Sequence, residues 1–381
     1  MVFNFTMITR SFAMFLVSAL PALAGKTAPG FASVEAYGMK GTTGGGDAAV
    51  VTVRTAEELQ QAVERLDVKD KRQRDTTPRV IRLAGDIDLA PLANEKPGHE
   101  IKQVGVVKPR SNTTLEGPPG GACLKGGIVE LKGVSNVILR NVKFEGPWEF
   151  DPTGEYDQMG WDCVRVTNSG QTRSHHIWVD HCDFGRVYDG QLDIVHGSDL
   201  VTISWCHFHG APDAPQKKGL LFGSSSSEKA VANDRGRINV TIDHCWFQDI
   251  KSRSPRLRAG NVHVANSLVE HADSGTISVT GGATRVEHSV YRDCKVATTW
   301  SHADDSVAKG RAGRMILEGN LRLPEGTKPG HEWDFTNSPG AFAFNAPEWS
   351  GWNDLTKPPY TLPLEKVEAV EELVRKGAGV K

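Results

Sequence analysis

The sequence predicts an all-β chain wound into a parallel β-helix, and three observations carry that expectation. One strand motif recurs at coil-length spacing through the middle of the chain. Glycine is abundant, 40 in 381 residues, as many short turns require. Helical periodicity marks one segment near each end.

The motif reads apolar, any, apolar, two further residues, a small or apolar residue, any, then usually an aromatic. It appears as Val137-Leu139-Val142-Phe144, Ile177-Val179-Cys182-Phe184, Val201-Ile203-Cys206-Phe208, Val240-Ile242-Cys245-Phe247, Val262-Val264-Ser267-Val269 and Thr284-Val286-Ser289-Tyr291. The starts lie 40, 24, 39, 22 and 22 residues apart, a basic period of 22 to 24 with two long insertions. Alternation with period two inside each unit argues for strands, and the shift after the third position argues for a bend between two of them. Units of this length cannot bury their inward faces alone, so they stack. Equivalent side chains then form ladders with a rung about every 4.8 Å. One ladder holds Cys182, Cys206 and Cys245, and another holds Phe144, Phe184, Phe208, Phe247 and Tyr291. Cysteines at the coil period read as small buried residues rather than metal ligands.

At the N-terminal end, Thr55-Ala56-Glu57-Glu58 is a capping box, and Leu59, Ala62, Val63 and Leu66 follow at helical spacing. That helix is expected to cover the first open coil. Val367, Val370, Leu373 and Val374, stopped by Gly377, predict a second amphipathic helix on the outside.

Charge and the N-terminus bound the function. The 44 Lys+Arg and 46 Asp+Glu leave a net charge of −2, which excludes a polycation built to wrap nucleic acid. Arg10, the apolar run Phe12 to Leu20 and the triplet Ala22-Leu23-Ala24 have the layout of a secretory signal peptide, with cleavage expected after Ala24. Residues 25–381 would then form one exported, monomeric domain with no membrane anchor. Six cysteines are sparse for a disulfide scaffold, so a sizeable core must carry stability.

Three acids stand out: Asp162, Asp189 and Asp193. Asp162 lies 27 residues before Asp189, near one coil length, and Gly190 permits a turn that draws the other two together. They either form a hard oxygen site suited to Ca²⁺ or satisfy backbone N–H groups in turns. Lys251-Ser252-Arg253-Ser254-Pro255-Arg256-Leu257-Arg258 concentrates four cations in a nearly neutral chain, and Lys217 and Lys218 can join them. Such a run is either a solvated face or a groove for a polyanion. The histidines, several beside Asp as in Asp180-His181 and Asp243-His244, read as ladder or turn hydrogen-bonders rather than zinc ligands.

Four ordered strings in this region resemble the signatures of family 1 polysaccharide lyases, the pectate lyases. They are Ile177-Trp178-Val179-Asp180-His181, Asp189-Gly190-Gln191-Leu192-Asp193-Ile194, Val201-Thr202-Ile203-Ser204-Trp205 and Arg253-Ser254-Pro255-Arg256-Leu257-Arg258. The resemblance implies a right-handed, single-stranded parallel β-helix with short capping helices, which cleaves α-1,4-linked polygalacturonate by β-elimination with Ca²⁺. It implies Asp162, Asp189 and Asp193 as calcium ligands, Arg253 as catalytic base, and Lys218 and Arg258 as substrate-binding residues. A further acidic ligand that some members carry two residues before the first of these aspartates is Gly160 here, and cysteine replaces the usual stacked asparagine. Two rival readings remain at this stage: a calcium-independent pectin lyase acting on methyl-esterified chains, and a non-catalytic β-helix that merely binds polyuronate.

Overall fold

The recurring motif pairs in the register its spacing implies. The chain, seen here as a computed structural model, is described for residues 27–71, 73–93, 104–148, 160–212, 217–300, 312–324 and 357–381. The expected signal peptide and its expected cleavage after Ala24 lie outside the described residues. Val137, Ile177, Val201, Val240, Val262 and Thr284 are successive parallel neighbours. They belong to a ten-stranded sheet, and among the described residues sheets of nine and eight strands complete a right-handed parallel β-helix. No helix among those residues is long and apolar enough to cross a membrane.

The bend expected after the third motif position is one residue in the left-handed conformation. Asn141, His181, Trp205, His244, Asn266 and His288 occupy equivalent corners with φ between 45° and 57°. Asn and His tolerate that region better than most residues, which explains why His recurs there. Those corner histidines also pair locally, His181 with Asp180 at 3.0 Å and His244 with Asp243 at 2.9 Å.

Inside, Phe144, Phe184, Phe208 and Phe247 stack in sequence at centroid separations of 4.9, 4.7 and 5.0 Å. Burying each such ring contributes about 1.5–3 kcal/mol. Val269 interrupts the column before Tyr291, whose hydroxyl pairs with Thr276 Oγ1 at 2.7 Å. The six cysteines are all free. Cys182, Cys206 and Cys245 stack, each thiol directed at a carbonyl of the preceding coil, and burial pushes the Cys206 thiol well above its ordinary pKa.

Helix α1 (Ala56–Glu64) is capped by Thr55, whose Oγ1 accepts from Glu58 N at 3.2 Å, and it plugs the core with Leu59, Ala62 and Val63. It ends earlier than its apolar spacing predicts. Arg65 turns left-handed at φ 52° and buries its guanidinium against the Ser111 carbonyl and Thr113 Oγ1, which leaves Leu66 exposed. Burial lowers the Arg65 pKa to about 10. A short helix α2 (Glu228–Asp234) fills part of the second insertion. Helix α3 (Val367–Gly377) lies on the outside as expected, with Val370 and Val374 buried against Leu268 and Val290 of the nine-stranded sheet.

Candidate active site

The third strand of each coil, which the motif does not capture, carries the chemistry. Val164–Thr167, Gly190–Ile194, Lys218–Phe222, Arg256–Arg258 and Ser274–Val279 follow one another in the eight-stranded sheet. Period-two alternation sends Leu192, Ile194, Leu220, Phe222 and Leu257 into the core. The intervening positions face outward, where register aligns Glu130, Arg165, Asp193, Leu221 and Arg256.

Asp162 stands two residues ahead of Val164 and so meets Gly190 of the next coil, whose N–H donates to Asp162 Oδ1 at 3.2 Å. Gly190 opens a strand and does not adopt a left-handed φ, so the expected turn does not form there. Its missing side chain is what matters. A Cβ at 190 would stand 3.0 Å from Asp193 Oδ1 and 3.3 Å from Asp162 Oδ1, so both oxygens share one small space over the glycine. Lys218, in register with Gly190, donates from Nζ to Asp189 Oδ1 at 2.9 Å.

Burial, followed by the Asp162 charge, holds the Asp193 carboxyl well above its ordinary pKa, while Arg253 opposes and Asp189 adds to the rise. Burial likewise raises Asp162; Arg165 opposes this and Asp189 reinforces it. The acids thus repel one another in a dry setting, and Asp193 Oδ1 is buried with no hydrogen-bond partner among the described residues.

Arg253 borders this group. It holds a left-handed φ of 72°, uncommon for a residue with a side chain, and its carbonyl accepts from Leu220 N at 2.6 Å. Its Nη1 is buried without a hydrogen-bond partner among the described residues. Arg258 lies two residues past Arg256 on the outward side, with Nη1 donating to the Gly223 carbonyl at 3.3 Å. Asp162, Asp189, Asp193, Lys218 and Arg253 therefore converge, and Arg258 stands farther along, at the end of the strand that follows Arg253.

Arg165 is the residue that sequence reasoning missed. Its Nε and Nη2 donate to Asp162 Oδ2 at 3.1 and 2.9 Å, and Nη2 also reaches the Gly160 carbonyl. A Cβ at Gly160 would stand 2.8 Å from that nitrogen. The guanidinium tip thus lies where a side chain at 160 would begin, and an acid at 160 would require Arg165 to shift. A second feature is aromatic. Trp161 and Tyr188 directly precede two of the acids with ring centroids 6.0 Å apart, Trp148 lies 6.1 Å from Tyr188, and Arg186 covers the Trp148 ring at 4.1 Å.

A family model described as pectate lyase matches residues 2–308. Pectate lyase B of Paenibacillus amylolyticus is 28% identical over 371 residues, covering 71% of this chain and 91% of the relative. A pectate trisaccharide-lyase of Thermotoga maritima is 36% identical over 242 residues, covering 63% of this chain and 56% of the relative, so the chain spans little more than half of that protein. Among solved structures, a pectate lyase from Paenibacillus sp. 0602 superposes with a TM-score of 0.71 at 23% identity over 93% of this chain and 96% of that one. Another, from Bacillus sp. N165 in complex with trigalacturonate, gives a TM-score of 0.63 at 18% identity, covering 92% and 98%. A β-helix bearing this outward row of acids and cations, with such relatives, defines a polysaccharide lyase. The chain belongs to the pectate lyase family.

Proposed function

We propose that the protein cleaves α-1,4-linked polygalacturonate by Ca²⁺-dependent β-elimination, releasing 4,5-unsaturated oligogalacturonides outside the cell after loss of residues 1–24. The observation that carries this reading is the crowding of the Asp162 and Asp193 carboxylates over Gly190, with Asp189 paired to Lys218 and Arg253 alongside, and with Asp193 Oδ1 lacking any donor among the described residues. The donor set fits calcium: Asp162, Asp189 and Asp193 supply hard oxygens, and their mutual repulsion calls for a divalent cation. When bound, the ion supplies Lewis acidity toward a uronate carboxylate and so acidifies the neighbouring C5–H.

The chain's own residues do the rest. Lys218, now held by Asp189, offers its ammonium to the same uronate carboxylate, and Arg258 holds a charged sugar farther along the strand. Arg253 takes the C5 proton through its unpartnered Nη1. The C5–H electron pair becomes the C4=C5 double bond, the C4–O4 bond breaks, and the departing oxygen takes a proton from water. A guanidinium ordinarily keeps its proton, so the rate is expected to climb toward alkaline pH.

The test is the product. Elimination creates a conjugated double bond that absorbs in the ultraviolet, and cleavage of polygalacturonate by this protein should raise that absorbance in step with new reducing ends. Reducing ends without absorbance would mean hydrolysis. Undiminished cleavage in chelator would transfer the reaction to the calcium-independent chemistry of methyl-esterified pectin.

A further inference from the structure

The nine-stranded sheet carries a second polar cluster that polygalacturonate cleavage leaves without a role. Asp183 and His207 are direct neighbours in register, and His209 follows His207 on the same outward side, with Phe208 between them buried in the core. Asp183 Oδ1 lies 2.7 Å from His209 Nε2, and Oδ2 lies 3.4 Å from His207 Nδ1. One ligand atom from each of the three falls within 4.8 Å of the other two. Around a tetrahedral Zn²⁺ such atoms sit about 3.5 Å apart, so small side-chain rotations suffice.

These histidines differ from the corner histidines of the ladders. His181 and His244 each pair with the aspartate just before them in sequence and stack on Trp205. His207 and His209 instead share one carboxylate from the preceding coil. Gln248 Oε1 stands 3.1 Å from His207 Nε2. An amide oxygen there takes the Nε2–H, which turns Nδ1 toward the carboxylate, where a proton bridges the two in the ion-free protein and a metal ion can take its place. The Trp246 ring, stacked on His207 at 4.2 Å and 14°, fixes the imidazole plane.

The surroundings are shaped as well. The C-terminal tail bounds one side: a Cβ on Gly379 would stand 3.3 Å from Asp183 Oδ2 and 3.4 Å from His207 Cβ. On another side, a Cβ on Gly185 would meet His209 Cε1 at 3.1 Å and Glu145 Cγ at 3.7 Å, which puts a further carboxylate in reach. The His209 side chain remains 39% exposed, so water can complete a coordination shell.

We propose that Asp183, His207 and His209 bind a divalent transition ion of the Zn²⁺ type, at a site separate from Asp162, Asp189 and Asp193, and that the ion clamps adjacent coils. Two imidazoles with one carboxylate select a borderline ion over Ca²⁺, which takes oxygens.

The experiment titrates untagged, chelator-stripped protein with ZnCl₂ by calorimetry in excess Ca²⁺, which occupies the acidic site, and repeats it with Co²⁺ followed by visible absorption. One equivalent binding in the micromolar range, with a Co²⁺ ligand-field band, is expected. His209→Ala should lose both, Asp183→Asn should weaken both, and Gln248→Leu should weaken binding about tenfold through the lost orientation of His207. Zn²⁺ should raise the melting temperature of the parent chain and not that of His209→Ala. The elimination rate at saturating Ca²⁺ should be unchanged in His209→Ala, so failure here leaves the lyase reading untouched. No saturable Zn²⁺ binding in the parent, or equal binding in His209→Ala, would overturn the proposal.

Discussion

Replacing Arg253 by alanine lowers kcat on polygalacturonate by about 10²- to 10⁴-fold and leaves KM and the melting temperature nearly unchanged. The expectation follows from how Arg253 is held. Its main chain is fixed by Leu220, which donates to its carbonyl, and its left-handed φ is set by the neighbouring coil rather than by the side chain. Among the described residues its Nη1 makes no hydrogen bond that folding would miss. Its charge also offsets that of buried Asp193, so the comparison is made at saturating Ca²⁺, where the ion takes over that role. Arg253→Lys keeps the charge but replaces a planar fork with a point cation, and should recover little of the rate. A variant that keeps kcat and raises KM would make Arg253 a binding residue and remove it from proton transfer.

Ca²⁺ raises the melting temperature by an amount that grows with pH and vanishes in acid. Asp162 and Asp193 have folded-state pKa values above the ordinary carboxylate range, principally through burial, and then through the Asp162 charge at Asp193 and, against Arg165, the Asp189 charge at Asp162. For an acid raised in this way, ionisation costs the folded state stability. The cost is absent below the unfolded pKa of about 3.9 and is fully present once pH has passed the raised folded value. A divalent ion between the carboxylates cancels that cost, so its stabilising effect follows their ionisation. Asp193→Asn should melt higher than the parent in calcium-free buffer at neutral pH, because it removes a buried charge with no donor at Oδ1. The same variant should need about tenfold more Ca²⁺ or beyond to reach half-maximal activity. Scanning fluorimetry across pH, with and without Ca²⁺, reads the first effect. A calcium shift independent of pH, or identical in Asp193→Asn, would send the ion elsewhere.

The coils were legible because their signal is periodic. Val137, Ile177, Val201, Val240, Val262 and Thr284 form a ladder, and the Phe144 to Phe247 column stacks, since an inward position on every coil faces the same packing demand. The third sheet was not legible for the opposite reason. Its outward positions carry Arg165, Asp193 and Arg256, and Lys218 opens one of its strands, where function sets the residue, so the repeat loses its shape where the site begins. Gly190 was found, but as a hinge. Only the packed neighbours reveal that the absence of Cβ is its contribution. Arg165 carries no sequence signal, because an arginine three residues after an aspartate is ordinary until Gly160 opens the space for it. Asp183 with His207 and His209 was invisible for want of register: the carboxylate and the imidazoles are 24 and 26 residues apart and meet only when coils stack.

The central claim is that three acids hold a calcium ion against a uronate whose C5 faces Arg253. A crystal structure of Arg253→Ala soaked with Ca²⁺ and an oligogalacturonate tests it most directly. The account predicts an ion among Asp162, Asp189 and Asp193 at about 2.3–2.6 Å from their oxygens, shared with a sugar carboxylate, and C5–H directed at the space the guanidinium has left. A sugar chain bound on another face, or seated at these acids with no ion between them, would contradict it.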